Sequence, residues 1–124
     1  MDCRDVTGKI IGCAYKVHNE MGFGFLESVY EKCMLIELKK AGLKAESQHA
    51  IEVRYAGETV GDFVADLVVN DCVIVELKSV KQIVRAHEAQ LVNYLTATGM
   101  ELGLVLNFGE KCVDVKRKVR VLEK

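Results

Sequence analysis

The chain contains no proline and no tryptophan, and only 6% of its 124 residues are aromatic. Without proline, no segment is marked as a rigid linker, and no stretch has the composition of a disordered tail. We therefore expect one domain over residues 1–124, a length that can bury an adequate core. No apolar run is long enough to cross a bilayer, and the first residues lack the pattern of a signal peptide. These absences predict a cytoplasmic protein with no membrane partner.

An excess of charge of either sign is also absent, because 17 Lys and Arg residues are set against 18 Asp and Glu residues. No overall basic field therefore marks the chain as a nucleic-acid-binding protein. A polyanion would have to be held by a local patch, and the best candidate is the basic run at residues 116–120 (KRKVR). A solvated terminus explains that run equally well.

The five cysteines include no CxxC pair and no zinc-finger spacing. Each lies in or beside an apolar run, where cysteine commonly behaves as a small hydrophobe. They are Cys3, Cys13, Cys33, Cys72 and Cys112. An odd, scattered set is more typical of a reducing compartment, which agrees with the cytoplasmic expectation.

The spacing of apolar residues predicts the element order ααβββαββ. Helices are predicted over residues 6–19, 26–41 and 84–98. Strands are predicted over residues 44–55, 59–69, 72–78, 102–107 and 112–117. Gly42 and Gly99 are expected to end the second and third helices in left-handed conformations. The first three strands should form an antiparallel meander, and the third helix is long enough for a parallel crossover. We therefore expect an α/β fold, with a mixed central sheet flanked by helices.

Ionisable residues interrupt two strands that otherwise have the composition of strands buried on both faces. Asp66 lies within residues 63–69 (FVADLVV), and Glu76 and Lys78 lie within residues 73–78 (VIVELK). Burying a carboxylate costs several kcal/mol unless it is paired or bound to a cation. Two carboxylates and a lysine can hold Mg²⁺ against a phosphate and activate a water molecule. An internal salt-bridge cluster without catalysis is the alternative interpretation.

The register of these two strands tests the proposed site. In an ideal two-residue turn at residues 70–71, Asp66 would face Val75, and Glu76 would point to the opposite side of the sheet. The two acids share a face only if one strand has an extra residue, through a three-residue loop or a bulge. We therefore predict such an irregularity between residues 69 and 73, or beside the acids.

Five short motifs occur in a fixed order over almost the whole chain. They are GFLESVY at 24–30, AD at 65–66, ELK at 76–78, HEAQLVNYL at 87–95 and GLVLNFG at 103–109. With these motifs the chain resembles the PD-(D/E)XK nuclease superfamily, and in particular its GxxExxY branch. Ala65 replaces the proline of the superfamily's name, a residue that ligates nothing. The resemblance implies a restriction-endonuclease-like core.

The resemblance also implies roles for single residues. Asp66 and Glu76 would bind Mg²⁺ or Mn²⁺, with Glu27 and the backbone carbonyl of Leu77 as further ligands. Lys78 would assist the attacking water. Glu27 also lies near the start of the second helix, where the helix dipole favours a carboxylate whatever its function.

Further candidates lie on the second and third helices. Gln90 matches the superfamily position that supports the lysine or the substrate phosphate, although such a residue is ordinarily a boundary residue. Tyr30 shares the face of Glu27 and is either core or a positioning residue. His87 and Tyr94 lie on the same stripe as Gln90 as supporting residues, and surface exposure or helix capping is the alternative for His87.

Two functions from different classes remain open at this point. The first is a metal-dependent nuclease that hydrolyses phosphodiester bonds in DNA or RNA, with Glu27, Asp66, Glu76, Lys78 and Gln90 as catalytic residues. The second is a non-catalytic module that keeps the nuclease fold to bind nucleic acid or a protein partner. Near-neutral charge and small size favour the module, whereas the intact set of acids and lysine favours the enzyme. A homodimer is a further arrangement that these residues leave open.

Overall fold

The structure, a computed structural model, describes residues 2–120, and its elements follow the predicted order ααβββαββ. The helices are α1 (Cys3–Met21), α2 (Glu27–Lys40) and α3 (Arg85–Thr98). The strands are β1 (Ala45–Tyr55), β2 (Glu58–Val69), β3 (Val73–Lys78), β4 (Leu102–Phe108) and β5 (Val113–Val119). Gly42 and Gly99 follow α2 and α3 with φ angles of 79° and 77°. Because glycine enters this left-handed region at no steric cost, both helices end where the sequence predicts.

The five strands form one mixed sheet in the order β1-β2-β3-β4-β5. The β1–β2, β2–β3 and β4–β5 pairs are antiparallel, whereas β3 and β4 are parallel. Helix α3 connects the two parallel strands, since parallel neighbours need a long crossover. The predicted mixed sheet flanked by helices is therefore confirmed.

Each face of the sheet is covered by its own apolar cluster. Helices α1 and α2 pack on one face through residues that include Ile10, Tyr30, Met34 and Leu38. Helix α3 packs on the other face through Leu91, Tyr94 and Leu95. The sheet thus lies between two helical layers, and the first residue of α2 and the inner side of α3 both approach the end of β3.

Strand β2 departs from the expectation that it is buried on both faces. Its second half is buried from Ala65 onwards, apart from Asp66, but Phe63 and Val64 are each nearly half exposed. The β2–β3 ladder ends at the pair Leu67–Val75, so the first half of β2 has only β1 beside it. Strand β3, in contrast, is buried along its whole length except for its last residue.

Two cysteines that we expected to be unpaired hydrophobes form a disulfide. Cys3 begins α1 and Cys72 lies in the loop between β2 and β3, with 6.0 Å between their Cα atoms. They are 69 residues apart in the chain, so no local spacing could indicate the pair. Cys13, Cys33 and Cys112 are free. No helix within residues 2–120 is long and apolar enough to span a membrane.

Candidate active site

The loop between β2 and β3 contains the extra residue that the site requires. Val69 pairs with Val73, which leaves a three-residue loop at 70–72. The first two loop residues, an asparagine and an aspartate, have left-handed φ angles of 52° and 53°, which these residue types tolerate better than most. Because the loop has three residues, the register brings Asp66 opposite Glu76 on one face. The predicted irregularity is confirmed.

Asp66 and Glu76, here called the acid pair, each cap the backbone of the other's strand. The ladder ends at Leu67–Val75, so the backbone N–H groups beyond it need other partners. The Asp66 N–H donates to Glu76 Oε2 over 2.9 Å, and the Leu77 N–H donates to Asp66 Oδ2 over 2.7 Å. The two carboxylates therefore lie where β2 and β3 separate, and the other oxygen of each accepts no backbone N–H from residues 2–120.

Burial makes the ionised form of this pair unfavourable. Glu76 is only 5% exposed, and burial, followed by the charge of Asp66, raises the pKa of Glu76 to about 7. Burial also raises the pKa of Asp66, and the charge of Glu27 acts in the same direction. The Leu77 N–H and the Lys78 charge oppose these effects on the Asp66 pKa. A bound cation would relieve the repulsion that remains.

Lys78 is the cationic side chain that acts on the acid pair, but it forms no direct ion pair with either carboxylate. It ends β3 and is partly exposed, and its charge lowers the pKa of both members of the acid pair. No ion pair among residues 2–120 involves Lys78, Asp66, Glu76 or Glu27. Neither carboxylate of the acid pair therefore forms an ion pair with a lysine or arginine within the described chain.

Glu27 reaches the end of β3 from the first turn of α2. Its Oε2 accepts a hydrogen bond from the Ser79 N–H over 3.2 Å. The Ser79 hydroxyl donates to the Phe25 carbonyl over 2.7 Å, which ties the residues before the helix to those after β3. Tyr30 is fully buried, and its hydroxyl donates to the Gly22 carbonyl over 2.7 Å. Tyr30 is thus a core residue that also fixes the loop preceding Glu27.

Two residues outside our predicted site set, Glu31 and Gln48, lie in the same cluster. Gln48 lies opposite Asp66 in the β1–β2 pairing, and its Nε2 donates to Glu31 Oε1 over 2.8 Å. Burial, and then the charge of Asp66, raises the pKa of Glu31, while the Gln48 side chain lowers the pKa of both acids. Gln48 has a φ of 53°, a strained value for a residue of this type. The spacing of Glu31, one turn after Glu27, was the available signal for it.

Helix α3 places Tyr94 near the acid pair, whereas His87 bonds to the backbone at the start of the helix. Tyr94 is buried, and its pKa is raised by burial and then by the charges of Glu76 and Asp66. Gln90 is partly exposed one turn earlier and makes no side-chain hydrogen bond within the described chain. His87 Nδ1 accepts the Val84 N–H over 3.2 Å, so this histidine caps its own helix.

The basic run at residues 116–120 does not form one open patch. Lys118 forms an ion pair with Glu88 at 2.6 Å, and Arg117 donates to the buried hydroxyl of Thr7. These neighbours project to opposite sides of β5, because successive side chains on a strand alternate. Part of this positive charge is therefore engaged by the protein itself.

The residues of the acid pair fit a hard divalent cation by the chemistry of their donors. Carboxylate and carbonyl oxygens are the ligands that Mg²⁺ and Mn²⁺ prefer. Within residues 2–120, however, no three His, Cys, Asp or Glu side chains already form a metal cage. One oxygen of each of Asp66, Glu76 and Glu27 is directed at a backbone N–H instead. The second oxygen of each carboxylate is therefore the one available to a cation without loss of these hydrogen bonds.

Comparisons with known proteins agree with this fold. The family model for the PD-(D/E)XK nuclease superfamily matches residues 4–120. The chain is similar to the crystal structure of SSO0001, with a TM-score of 0.60 and 17% identity over 77% of this chain and 50% of that one. It is also similar to the alkaline exonuclease LHK-Exo from Laribacter hongkongensis, with a TM-score of 0.53 and 12% identity over 70% of this chain and 52% of that one. A comparison with curated protein sequences found no match.

At these identities the two structures show a shared fold and nothing finer, since one fold can support many functions. The chain spans about half the length of each. They confirm the restriction-endonuclease-like α/β core, while the GxxExxY branch stays a prediction. Because the family model covers nearly the whole chain, the protein belongs to the PD-(D/E)XK nuclease superfamily.

Proposed function

We propose that the protein is a metal-dependent nuclease that hydrolyses phosphodiester bonds in DNA or RNA, with Mg²⁺ or Mn²⁺ as its cofactor. The observation that carries the proposal is the acid pair: the buried carboxylate of Glu76 and the partly buried carboxylate of Asp66 lie face to face, and within residues 2–120 no basic side chain forms an ion pair with either. Nucleases of this superfamily generally use divalent metals, which supports the same interpretation.

The ligands in this proposal are the carboxylates of Asp66, Glu76 and Glu27 and the backbone carbonyl of Leu77. A divalent cation held by these oxygens would polarise a phosphoryl oxygen and lower the pKa of a bound water. The protein's part is to hold the acid pair in a water-poor site. There, fixed charges act more strongly on a developing charge than they do in bulk water.

Lys78 has the position and charge for the remaining chemistry. Its ammonium group acts on both members of the acid pair and is partly exposed, so it can reach a phosphate that enters from solvent. We propose that it orients the attacking water and stabilises the charge that develops on the phosphate. Gln90 and Tyr94 would steady Lys78 or a phosphate oxygen from α3. Gln48 would act indirectly, by holding Glu31 and Asp66 in place.

A non-catalytic nuclease-fold module is the second candidate. Part of the basic run at residues 116–120 is engaged by Glu88 and Thr7, and this favours the module. This leaves less positive surface for gripping a duplex. It is also favoured by the absence of a ready-made metal cage within residues 2–120.

Cleavage assays separate the two candidates. Plasmid, linear duplex, single-stranded DNA and RNA are incubated with Mg²⁺ or Mn²⁺ and with wild type, Asp66→Ala or Asp62→Ala. Asp62 is an exposed carboxylate four residues earlier on the same strand, and it provides the matched control. We expect metal-dependent cleavage by wild type and Asp62→Ala but not by Asp66→Ala. Equal cleavage by all three proteins would indicate contamination, and no cleavage by wild type would favour the module.

The remaining parts of the proposal concern context. We propose a cytoplasmic location. The three free cysteines support it, whereas the Cys3–Cys72 disulfide is evidence against it. Membership of the GxxExxY branch and assembly into a homodimer are also proposals. Sedimentation measurements on the purified chain test the homodimer.

A further inference from the structure

An exposed apolar loop lies directly before the site helix. Residues 22–26 (GFGFL), here called the GF loop, connect α1 to α2. Phe23, Phe25 and Leu26 are 55%, 43% and 73% exposed. Single exposed hydrophobic residues are ordinary on protein surfaces, but three within four positions are a local concentration that suggests a binding site.

Hydrogen bonds anchor the GF loop at both ends. Gly22 at its start accepts the hydroxyl of buried Tyr30, and Phe25 near its end accepts the hydroxyl of Ser79. Tyr30 itself stacks on buried Phe108, with 4.2 Å between ring centroids. Gly22 and Gly24 have φ angles of 72° and 106°, which a residue with a side chain would adopt only under strain. The anchored backbone therefore keeps Phe23 exposed in the folded protein.

A cavity of about 420 Å³ lies against this loop and opens to solvent. Its walls are formed by the GF loop, the segment after β3 and the end of β4. Glu27 and Ser79 also line it, and these two residues are hydrogen-bonded to each other in the candidate active site. Lys81 supplies a cation to the lining and Glu110 a second carboxylate. The cavity thus adjoins the acidic site through Glu27 and combines aromatic surface with one lysine and two carboxylates.

We infer that this cavity takes one unpaired nucleotide of the substrate, next to the phosphate that is cleaved. The inference rests on the proposed nuclease function. The base would stack on Phe23, and Lys81 would lie near the flanking phosphate. Aromatic side chains bind any base through its π-face, and the volume lies within the range of small-molecule sites. A base pair in a stacked duplex has no free face for such contact, so the preferred substrate has a single-stranded end, gap or flap.

The distribution of positive charge supports the same choice of substrate. Duplex binding without base contacts depends on many lysine and arginine contacts to phosphates. The chain has nearly balanced charge, and its basic run is partly engaged internally. Stacking in the cavity would supply binding energy that does not depend on a large basic surface.

Fluorescence anisotropy with the Asp66→Asn protein tests the inference without cleavage of the probe. The probes are labelled oligothymidylate, oligouridylate and a blunt hairpin duplex of equal length. We compare the parent with added Phe23→Ala, and with added Tyr55→Ala as the control, because Tyr55 is 76% exposed at the far end of β1. Loss of one stack predicts binding of the single strands weaker by about tenfold or more with Phe23→Ala. Duplex binding should be unchanged, and Tyr55→Ala should change neither.

Lys81→Ala is a second variant that does not disturb the apolar loop. It should weaken single-strand binding and reduce the slope of log affinity against log salt by about one. Thermal melting of each variant checks that the fold is retained. Equal affinities for parent and Phe23→Ala, or equal losses on duplex and single strand, would overturn the inference and leave the nuclease proposal standing. A change of sedimentation on Phe23→Ala would instead identify the loop as a self-association surface, which also overturns it. If the parent binds none of the probes and wild type cleaves nothing, the proposed function itself has failed.

Discussion

Asp66 and Glu76 bridge β2 and β3 beyond the end of their ladder: the carboxylate of Glu76 accepts the Asp66 N–H, and the carboxylate of Asp66 accepts the N–H of the residue after Glu76. The same two side chains that would bind a cation therefore also terminate the β2–β3 ladder. This double role explains how two acids are tolerated in apolar strands. Their hydrogen bonds offset part of the desolvation cost, and the remainder is left to a cation.

Glu76→Gln should separate stability from activity. The amide keeps an oxygen that can accept the Asp66 N–H but removes a buried charge, so the metal-free protein at pH 7.5 should melt at a higher temperature than wild type. Metal-dependent cleavage should be lost. Glu101→Gln, at an exposed position, serves as the matched control and should change neither property. A lower melting temperature for Glu76→Gln would show that the Glu76 charge stabilises the fold.

The metal-free protein should lose stability as the pH rises from 4.5 to about 7. The pKa of Glu76 is about 7 in the folded chain against an ordinary value of 4.5, so the folded state holds a proton that the unfolded state has already released. The stabilisation is full below pH 4.5 and disappears as the pH passes the folded pKa. Its size is at most about 3 kcal/mol. Urea unfolding in EDTA at a series of pH values measures it, and the difference between wild type and Glu76→Gln isolates this residue. Parallel pH profiles for the two proteins would contradict the assignment.

Replacing Gln48 with glycine should cost little stability but should lower the activity. Its φ of 53° strains any residue that has a Cβ, and glycine relieves that strain by about 1 kcal/mol. We therefore expect Gln48→Gly to be at least as stable as Gln48→Ala in urea unfolding. Both variants lose the hydrogen bond to Glu31, so kcat should fall about tenfold or more. Gln48→Gly with normal kcat would exclude Gln48 as a positioning residue.

Asn107 should prove important for the segment that follows β3. It is fully buried, and its side chain accepts the Val80 N–H and donates to the Val80 carbonyl, both over 2.9 Å. Asn107→Ala leaves both backbone groups without these partners and should cost about 2–4 kcal/mol in the free energy of unfolding. Urea unfolding measures the loss. An exposed amide, Asn93, is the control, and its replacement by alanine should change stability by less than about 0.5 kcal/mol. A similarly small effect of Asn107→Ala would contradict the structural role given to this amide.

The register of the acid pair could be predicted from the sequence because the two acids were expected to share one face of the sheet, and few loop lengths between β2 and β3 allow this. Asp66 and Glu76 share a face only with an odd-length connection or a bulge, and the three-residue loop provides the first of these. The ends of α2 and α3 were predictable because Gly42 and Gly99 follow apolar residues at helical spacing.

The position of Gln48 could not be predicted in the same way. It lies opposite Asp66 because the β1–β2 register shifts between Val53 and Arg54. Nothing in the local sequence marks that bulge. A glutamine within a strand pattern also gives no sign of a left-handed backbone, since that conformation is imposed by its surroundings. The Cys3–Cys72 disulfide and the exposure of the first half of β2 likewise depend on how distant elements pack.

Calorimetric titration with Mn²⁺ at pH 7.5 tests most directly whether the acid pair is a cation site. Wild type should bind Mn²⁺ with a heat that saturates at millimolar metal or below. The Asp66→Asn/Glu76→Gln double variant, confirmed as folded by thermal melting, should show no saturable heat. Wild type that binds no Mn²⁺ at millimolar concentration, or a double variant that binds it as wild type does, would contradict the account.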